Sequence, residues 1–253
     1  MAKTIAFANQ KGGVGKTTSC VNLCAALAGL GKSVLLVDCD PQGNASSGMG
    51  VSKDRRPSTY DMIINNVPAA DCVAKTDFGS VIPAGKDLAA ASVEMIGVNE
   101  REYLLKKALM SIYSEYDFIF LDCPPSLELL TVNALAAADS VLIPMQCEYY
   151  ALEGIADLMT SIKLTKKRMN RRLEIEGIAL TMYDSRANLT VQVESELRKY
   201  LGDKVYDTVI PRSIRLSEAP SHGLPGVVYD RLNRGSRAYM ALAEEFLKKC
   251  EVR

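Results

Sequence analysis

A glycine-rich segment that also carries two lysines constrains the fold of this chain more than any other feature. It occupies residues 11–18 with the sequence KGGVGKTT. An apolar strand is predicted before it over Thr4–Ala8, and a helix is predicted after it over Thr17–Leu30. Glycines let the backbone turn so that successive N–H groups point at one anion, and the start of the helix adds positive charge. The segment therefore predicts a phosphate-binding loop between a strand and a helix.

The side chains of this loop match the needs of a nucleoside triphosphate with its Mg²⁺. Lys16 places a cation near the β- and γ-phosphates, and the Thr17 hydroxyl can bind Mg²⁺. The strict pattern G-x-x-x-x-G-K-[ST] requires glycine at position 10, where this chain has Gln10. That departure leaves the G-K-T-T core and its strand–loop–helix context intact. The residues predicted to bind the nucleotide here are Gly12, Gly13, Val14, Gly15, Lys16, Thr17 and Thr18.

Apolar runs of strand length alternate with helical patterns along the rest of the chain. Such alternation favours an α/β fold with a mainly parallel, doubly wound sheet flanked by helices, here as a single domain over residues 1–253. A sheet of this kind binds ligands at the carboxyl ends of its strands. The stretch 41–77 carries no residue-level signal. The further predicted strands are Ser33–Val37, Val81–Ile82, Phe118–Leu121, Val141–Ile143, Gly177–Met182 and Val205–Ile210, and the last helix is Arg234–Lys249.

Length, charge and cysteine usage exclude several classes of protein. In the 253 residues, 30 Lys and Arg balance 30 Asp and Glu, which excludes a globally basic nucleic-acid coat and an acidic disordered chain. No apolar run reaches about 18 residues, so no transmembrane helix is expected. The apolar stretch at the N-terminus is too short for a signal peptide. The seven cysteines form no C-x-x-C pair, which is typical of reduced core residues in a cytosolic protein.

Aspartates follow two of the predicted strands, where a parallel sheet places its ligands. Asp38 and Asp40 come just after Ser33–Val37, and Asp122 follows Phe118–Leu121. An apolar strand that ends in aspartate is the Walker B arrangement, in which the carboxylate helps to hold Mg²⁺ directly or through water. Hydrolysis also needs a group that orients water in line with the γ-phosphate. The turn after Asp40 is equally typical of a plain surface turn, so the residues alone leave its role open.

The loop sequence KGGVGKTT resembles the deviant Walker A motif of the ParA/MinD family of ATPases. Further segments narrow the resemblance to the ParA/Soj branch, which partitions chromosomes and plasmids. Together with the loop they extend over nearly the whole chain, from Lys3 to Leu247, and as a set they are specific. These segments are DPQGN at 40–44, DCPPS at 122–126, PMQCEYYAL at 144–152 and VIPRSIRLSEAPSHG at 209–223.

The resemblance implies roles for individual residues around the nucleotide. Lys11 matches the extra lysine of the family, which crosses a dimer interface to the nucleotide on the partner subunit. A second ammonium there offsets charge that builds up in the transition state. Asp40 matches the water-activating aspartate, so the expected catalytic residues are Lys11, Lys16 and Asp40. The expected ligands of Mg²⁺ are Thr17, Asp122 and, as a weaker candidate, the switch carboxylate Asp38.

The resemblance also implies contacts with adenine and with DNA. Met182, Pro211 and Arg212 match loops that line the base, although a core methionine and a strand-ending proline explain the first two equally well. Arg186 and Arg215 match surface arginines that bind DNA. No aromatic residues accompany them, so the expected ligand is the duplex backbone, bound without sequence preference and with strong sensitivity to salt.

A second basic run covers residues 163–172, and no acid interrupts it before Glu174. Cations near the end of a helix suit the helix dipole and solvate its surface. This explanation is favoured for the run over contact with DNA.

The expected function is an ATP-driven molecular switch. Two subunits would sandwich two Mg-ATP, bind nonspecific duplex DNA, and separate after hydrolysis stimulated by a DNA-bound partner resembling ParB. The expected location is the cytoplasm, on the nucleoid, without stable membrane association. Cys123 rather than a glutamate follows Asp122, so no strong base lies beside the metal, and slow basal turnover is expected.

Three alternatives remain open on the sequence. A MinD-like membrane ATPase that positions the division machinery should end in a basic amphipathic helix, whereas Tyr239–Arg253 contains three glutamates. An iron–sulfur carrier needs paired thiolates at a dimer interface, whereas this chain has no C-x-x-C pair. A nucleotide-binding module without turnover is disfavoured by the presence of Lys16 and Asp40. The lone histidine, His222, lacks a nucleophile and is interpreted as a structural loop residue.

Overall fold

A seven-stranded sheet organises the part of the chain that the computed structural model describes, residues 2–148 and 151–251. Its strand order is β3-β4-β2-β5-β1-β6-β7, and all neighbours run parallel except the antiparallel edge pair β3–β4. This confirms the predicted fold class. The strands are β1 (Lys3–Phe7), β2 (Val34–Asp38), β3 (Ala74–Thr76), β4 (Gly79–Ile82), β5 (Phe118–Asp122), β6 (Ser140–Gln146) and β7 (Glu174–Thr181).

Helices cover both faces of the sheet. Four short 3₁₀ turns complete the connections, over Arg101–Tyr103, Met110–Ile112, Gly202–Lys204 and Ala219–His222. The described helices are α1 (Lys16–Gly29), α2 (Asn44–Gly48), α3 (Thr59–Ile63), α4 (Ala69–Cys72), α5 (Leu88–Glu94), α6 (Leu104–Leu109), α7 (Leu129–Ala137), α8 (Ala151–Arg168), α9 (Asn188–Leu201), α10 (Ile214–Glu218), α11 (Gly226–Tyr229) and α12 (Arg234–Glu251).

The central strands are apolar along their whole length because both of their faces are buried. All five residues of β2 are buried, and so are all five of β5. Leu35 and Val37 belong to one core, whereas Leu36 packs with Phe7 in the core beneath α1 and α12. Continuous apolar runs are what a parallel sheet covered on both sides requires.

The prediction of a strand over Val205–Ile210 is wrong. The segment forms one isolated bridge to β7, between Val205 and Ile178, and just beyond its end Pro211 forms another with Tyr183, after β7. Between them, the backbone N–H groups of Asp207 and Thr208 donate to the Glu245 carboxylate, at 2.8 and 2.9 Å. The Tyr206 and Ile210 N–H groups do donate to the β7 carbonyls of Ile178 and Leu180, at 3.0 and 2.8 Å. Because a side chain from α12 takes the two donors between them, no continuous ladder forms.

The last helix, α12, packs its apolar face onto the core. Tyr239, Leu242, Ala243 and Phe246 are buried, and the Tyr239 hydroxyl lies 2.9 Å from Ser19 Oγ on α1. Among the described residues, no helix combines the length and apolar character that crossing a membrane would require. The six cysteines other than Cys250 are buried, as expected of core residues.

Candidate functional site

The glycine-rich loop joins β1 to α1 at the carboxyl edge of the sheet. Gly13 and Gly15 adopt φ values of 75° and 79°, a left-handed conformation that glycine reaches without strain. A side chain added at Gly12 or Gly13 would meet nothing within 4 Å, so this face of the loop is open. Lys16 at the start of α1 is buried, with 7% of its surface exposed. The loop thus presents backbone N–H groups and a helix start to open space.

The end of β7 ties this loop to the sheet. The Thr181 hydroxyl donates to the Val14 carbonyl at 2.7 Å, with the Met145 carbonyl also within 3.0 Å. Thr181 also lies 3.6 Å from where a Cβ on Gly15 would stand. Sequence reasoning did not single out the Thr181 hydroxyl for this role, because its partner lies 167 residues earlier in the chain.

Thr17 and Asp122 meet directly below the loop. The Thr17 hydroxyl donates to Asp122 Oδ2 at 2.7 Å. Asp122 is fully buried, and its second oxygen, Oδ1, has no hydrogen-bond partner among the described residues. An unpartnered buried carboxylate oxygen beside a hydroxyl is the type of donor set that suits Mg²⁺. The two residues predicted to hold the metal therefore fit that ion.

Asp38 lies beside Asp122 because the two residues are register partners in β2 and β5. Burial raises the pKa of Asp122 to about 8, and the neighbouring charge of Asp38 adds to that rise, while Lys16 and Thr17 oppose it. Burial likewise raises the pKa of Asp38 to about 6, against the hydrogen bonds from Ser46. Two acids held so close favour proton uptake or a cation.

Asp38 is occupied by hydrogen bonds within the chain. Its Oδ2 accepts from the backbone N–H and the hydroxyl of Ser46, at 2.8 and 2.7 Å, and its Oδ1 accepts from the Asp40 N–H at 3.1 Å. Asp38 therefore fixes the start of α2 and the entry to the Asp40 turn. This geometry fits a switch carboxylate better than a metal ligand.

Asp40 begins a turn that is stabilised by Lys53, a residue of the following segment. Asp40 Oδ1 accepts from the Gln42 N–H at 2.9 Å. The Lys53 ammonium contacts the Gln42 carbonyl and donates to Asn44 Oδ1 at 3.1 Å. Gly43 has φ 62°, and a Cβ there would come within 2.5 Å of the Ala84 carbonyl. Lys53, which the sequence did not single out, thus positions the turn that carries Asp40.

Lys11 projects from the loop and pairs with Glu148, just after β6. Both side chains are about half exposed, at 47% and 53%. Its backbone N–H also donates to Asn9 Oδ1 at 3.0 Å. Glu148 lies within the segment 144–152 that carried the resemblance, but no role was predicted for it. Tyr149 and Tyr150 of the same segment lie outside the described residues.

A cavity of about 290 Å³ opens beside the loop and brings the predicted adenine residues together. Met182 follows β7 with a φ of 48°, and Gln146 contacts its sulfur. Apolar side chains with a few polar groups beside a phosphate loop are typical of a base-binding pocket. The lining residues include Gly15, Thr18, Met182, Pro211, Arg212 and Ile214.

The two arginines predicted to bind DNA are both paired with acids. Arg186 forms two hydrogen bonds of 2.9 Å with Asp184, and these hold the pKa of Asp184 down to about 2. Arg215 pairs with Glu218 at 2.9 Å and with Asp230 at 3.6 Å. Both guanidinium groups are exposed. A phosphate must therefore compete with a carboxylate at each of them.

Comparison with known proteins agrees with this geometry. Residues 2–175 match a family described as an AAA domain. The sporulation initiation inhibitor protein Soj of Bacillus subtilis is 54% identical over 248 residues, 97% of this chain and 98% of that protein. The chromosome partitioning protein ParA of Myxococcus xanthus is 49% identical over 252 residues, 98% of this chain and 89% of that protein. Cobyrinic acid a,c-diamide synthase from Mycobacterium smegmatis, solved with bound ADP and magnesium, has a TM-score of 0.87 and 33% identity, covering 99% of this chain and 96% of that one.

Proposed function

The chain belongs to the Soj/ParA family of chromosome-partitioning ATPases, and we propose that it works as an ATP-dependent switch on DNA. In this proposal, ATP joins two copies of the chain, the dimer binds duplex DNA without sequence preference, and hydrolysis releases it. The observation that carries the proposal is the meeting of Thr17 and Asp122 beneath an open phosphate loop, at 2.7 Å.

The phosphate loop supplies the nucleotide site. The N–H groups of the loop and the Lys16 ammonium surround the phosphates, and the helix start adds its dipole. Met182, Pro211 and Arg212 contact the base in the neighbouring cavity, which is the size expected for one flat ring system.

Thr17 and Asp122 would hold Mg²⁺, with the unpartnered Asp122 oxygen and the threonine hydroxyl as donors. Bound there, the ion would help to neutralise the charge of the phosphates. Asp38, whose oxygens are taken by Ser46 and Asp40, holds the adjacent turn rather than the ion.

Asp40 orients the attacking water and accepts its proton. Its carboxylate lies on a turn held by Lys53 and Asp38 at the same sheet edge as Asp122. Cys123, which follows Asp122, is buried and its pKa is raised, so it offers no base there. Basal turnover is therefore slow, and a DNA-bound partner of the ParB type accelerates it.

Lys11 crosses to the nucleotide of the partner subunit. Its side chain is half exposed on the open face of the loop, and Glu148 holds it in the single chain. A second ammonium at the phosphates stabilises transition-state charge, and its delivery from the partner makes dimerisation depend on ATP.

Arg186 and Arg215 contact DNA phosphates in the ATP-bound dimer. Arg186 lines a cavity together with Met182 and Pro211, and Arg215 lies between Ile214 and Leu216 of the predicted base cavity, so a change in nucleotide can alter their ion pairs with acids. A MinD-like membrane attachment through the C-terminal helix is less well supported, because the apolar face of α12 is buried on the core.

The test is duplex-DNA binding with Mg-ATP, with Mg-ADP and without nucleotide, at two salt concentrations. We expect ATP to strengthen DNA binding, and DNA to strengthen ATP binding by the same factor. Arg215→Ala should weaken the ATP-dependent binding, whereas the matched control Arg55→Ala, at an exposed arginine elsewhere, should not. Equal affinity in all three nucleotide states would refute the switch, and binding to anionic vesicles instead would favour the membrane alternative.

A further inference from the structure

The basic run at the end of α8 forms an exposed surface that the nucleotide switch does not use. We define the α8 basic surface by five exposed cations: Lys163, Lys167, Arg168, Arg171 and Arg172. None of these five side chains forms an ion pair with a described residue. Among the described residues, the ion pair between residues 163–172 and an acid is that of Lys166 with Glu174. In a chain of zero net charge, this is a local concentration of unpaired positive charge.

The helix dipole explains only part of this concentration. The basic residues in the last turn of α8 are Lys166, Lys167 and Arg168. Lys163 lies a turn earlier, and Arg171 and Arg172 lie beyond the helix end, outside the reach of the dipole. Like charges four residues apart, as at Lys163 and Lys167, destabilise a helix. A ligand with repeated negative charge would offset that cost.

The backbone beneath the α8 basic surface is fixed. The Asn170 carboxamide donates to the Leu135 carbonyl at 3.0 Å and to the Ala138 carbonyl at 2.6 Å. Its oxygen accepts from the Arg172 N–H at 3.3 Å, and Tyr103 donates to the Met169 carbonyl at 3.1 Å. The cations therefore project from a preorganised turn, which lowers the ordering cost of binding.

The spacing of these cations suits a phosphate backbone. Lys163 and Lys167 share one helix face with a rise of about 6 Å between them, and Arg171 follows in the turn beyond the helix end. One strand of duplex DNA carries a charge every 3.4 Å or so along the axis. The one exposed large apolar side chain within the run, Leu164, is too little for insertion into a lipid surface. We propose that the α8 basic surface is a second binding surface for duplex DNA.

This surface lies at the opposite end of the sheet from the first. α8 ends just before β7 begins at Glu174, whereas Arg186 follows the end of β7 at Thr181. The strand between them is about 23 Å long. One subunit can therefore hold two duplexes at once. Because the α8 basic surface is remote from the phosphate loop, its weak contact with DNA does not depend on nucleotide, and hydrolysis releases only the tighter, ATP-dependent contact of the dimer.

The test compares two triple variants with the same change in charge. The first is Lys163→Gln/Lys167→Gln/Arg171→Gln, and the control is Lys32→Gln/Lys75→Gln/Lys86→Gln, at exposed lysines elsewhere. Without nucleotide, we expect the wild type and the control to retain weak, salt-sensitive duplex binding that the first variant loses. With ATP, the first variant should lower the slope of log K against log salt by about 2–3, since each phosphate contact contributes about 0.9.

A bridging assay tests the geometry directly. Beads that carry one duplex are loaded with protein and ATP and then offered a second, fluorescent duplex. The wild type and the control should capture it, and the α8 variant should bind the beads but capture several-fold less. Unchanged salt slope and unchanged capture in the α8 variant would overturn the proposal, as would loss of binding only to phosphatidylcholine–phosphatidylglycerol vesicles. If ATP has no effect on DNA binding in any variant, but the α8 variant still lowers the slope of log K against log salt, the switch is refuted and the α8 basic surface is supported.

Discussion

Two buried carboxylates at opposite ends of the central sheet have opposite surroundings. Glu176, near the start of β7, pairs with Lys3 at 2.7 Å and accepts from the Ser140 hydroxyl at 2.6 Å. Asp122, at the end of β5, accepts from Thr17 and has a second oxygen without a hydrogen-bond partner among the described residues. A buried charge compensated by the chain itself holds the fold, whereas one left partly uncompensated is available to a ligand.

The largest expected effect comes from Asp122→Asn, which removes the charge and preserves the size of the side chain. We expect kcat/KM for Mg-ATP hydrolysis to fall about 100-fold, because the metal site loses an anionic donor. Without nucleotide, stability should stay the same or rise, most clearly above pH 8, where Asp122 would carry a buried charge next to Asp38. Phosphate release and a thermal melt measure the two effects, and a destabilised variant would contradict the comparison.

The matched substitution Glu176→Gln should have the opposite effects: it should lower stability and leave hydrolysis nearly unchanged. We expect the free energy of unfolding to fall by about 1–3 kcal/mol, because Lys3 loses its anionic partner in a buried setting. Hydrolysis by the folded protein should change by less than about twofold, as the residue lies at the other end of the sheet from the loop. Urea unfolding and steady-state kinetics test this. A loss of activity as large as that of Asp122→Asn would remove the distinction between the two ends.

The pH dependence of stability between pH 5 and pH 8 should reflect the two aspartates at the carboxyl end of the sheet, Asp38 and Asp122. Burial raises the pKa of Asp38 to about 6 and that of Asp122 to about 8, from 3.8 for an ordinary aspartate. Between the ordinary pKa of 3.8 and these raised values, the two aspartates bind more protons in the folded state than in the unfolded chain. The free energy of unfolding therefore falls as pH rises. Without nucleotide or Mg²⁺, we expect a fall of at least about 1 kcal/mol between pH 5 and pH 8. Urea unfolding in chelating buffer should give a flatter dependence of stability on pH for Asp122→Asn than for the wild type.

The smallest effect is expected at the exposed ion pair beside the loop. Glu148→Gln frees Lys11, and because an exposed pair is worth at most about 1 kcal/mol, ATP-dependent dimerisation should tighten by up to about fivefold. Glu174→Gln, which frees Lys166 at the other end of the sheet, is the matched control and should change nothing. Sedimentation with a slowly hydrolysed ATP analogue measures both. Weaker dimerisation of Glu148→Gln would show that Glu148 supports the interface instead of restraining Lys11.

Much of the fold was predictable because its signals are local. The buried strands β2 and β5 are continuous apolar runs, and the glycine loop fixes where β1 ends and α1 begins. The segment 205–210 was also predicted as a strand, but two of its backbone N–H groups donate to Glu245, a partner that no local pattern reveals. The stretch 41–77, which gave no signal, contains three short helices and the edge strand β3, placed by long-range contacts.

The candidate site was predictable where one residue type meets one chemical need. The lysine, threonine and aspartate of the phosphate site were assigned from motif and strand position, and Thr17 and Asp122 do meet. The residues that orient them were not predicted. Ser46 and Lys53 act through contacts with a turn that has no sequence signature, and Thr181 bonds a carbonyl far earlier in the chain.

The carboxylate of Glu245 has a consequence for how the protein is made. It holds the backbone at Asp207 and Thr208, only a few residues before Pro211 in the wall of the cavity proposed to bind the base. A ribosome releases the phosphate loop first and Glu245 more than two hundred residues later. If the cavity binds the base as proposed, the nascent chain would complete its phosphate loop before its base pocket, and the choice of nucleotide would be among the last properties that the growing polypeptide acquires.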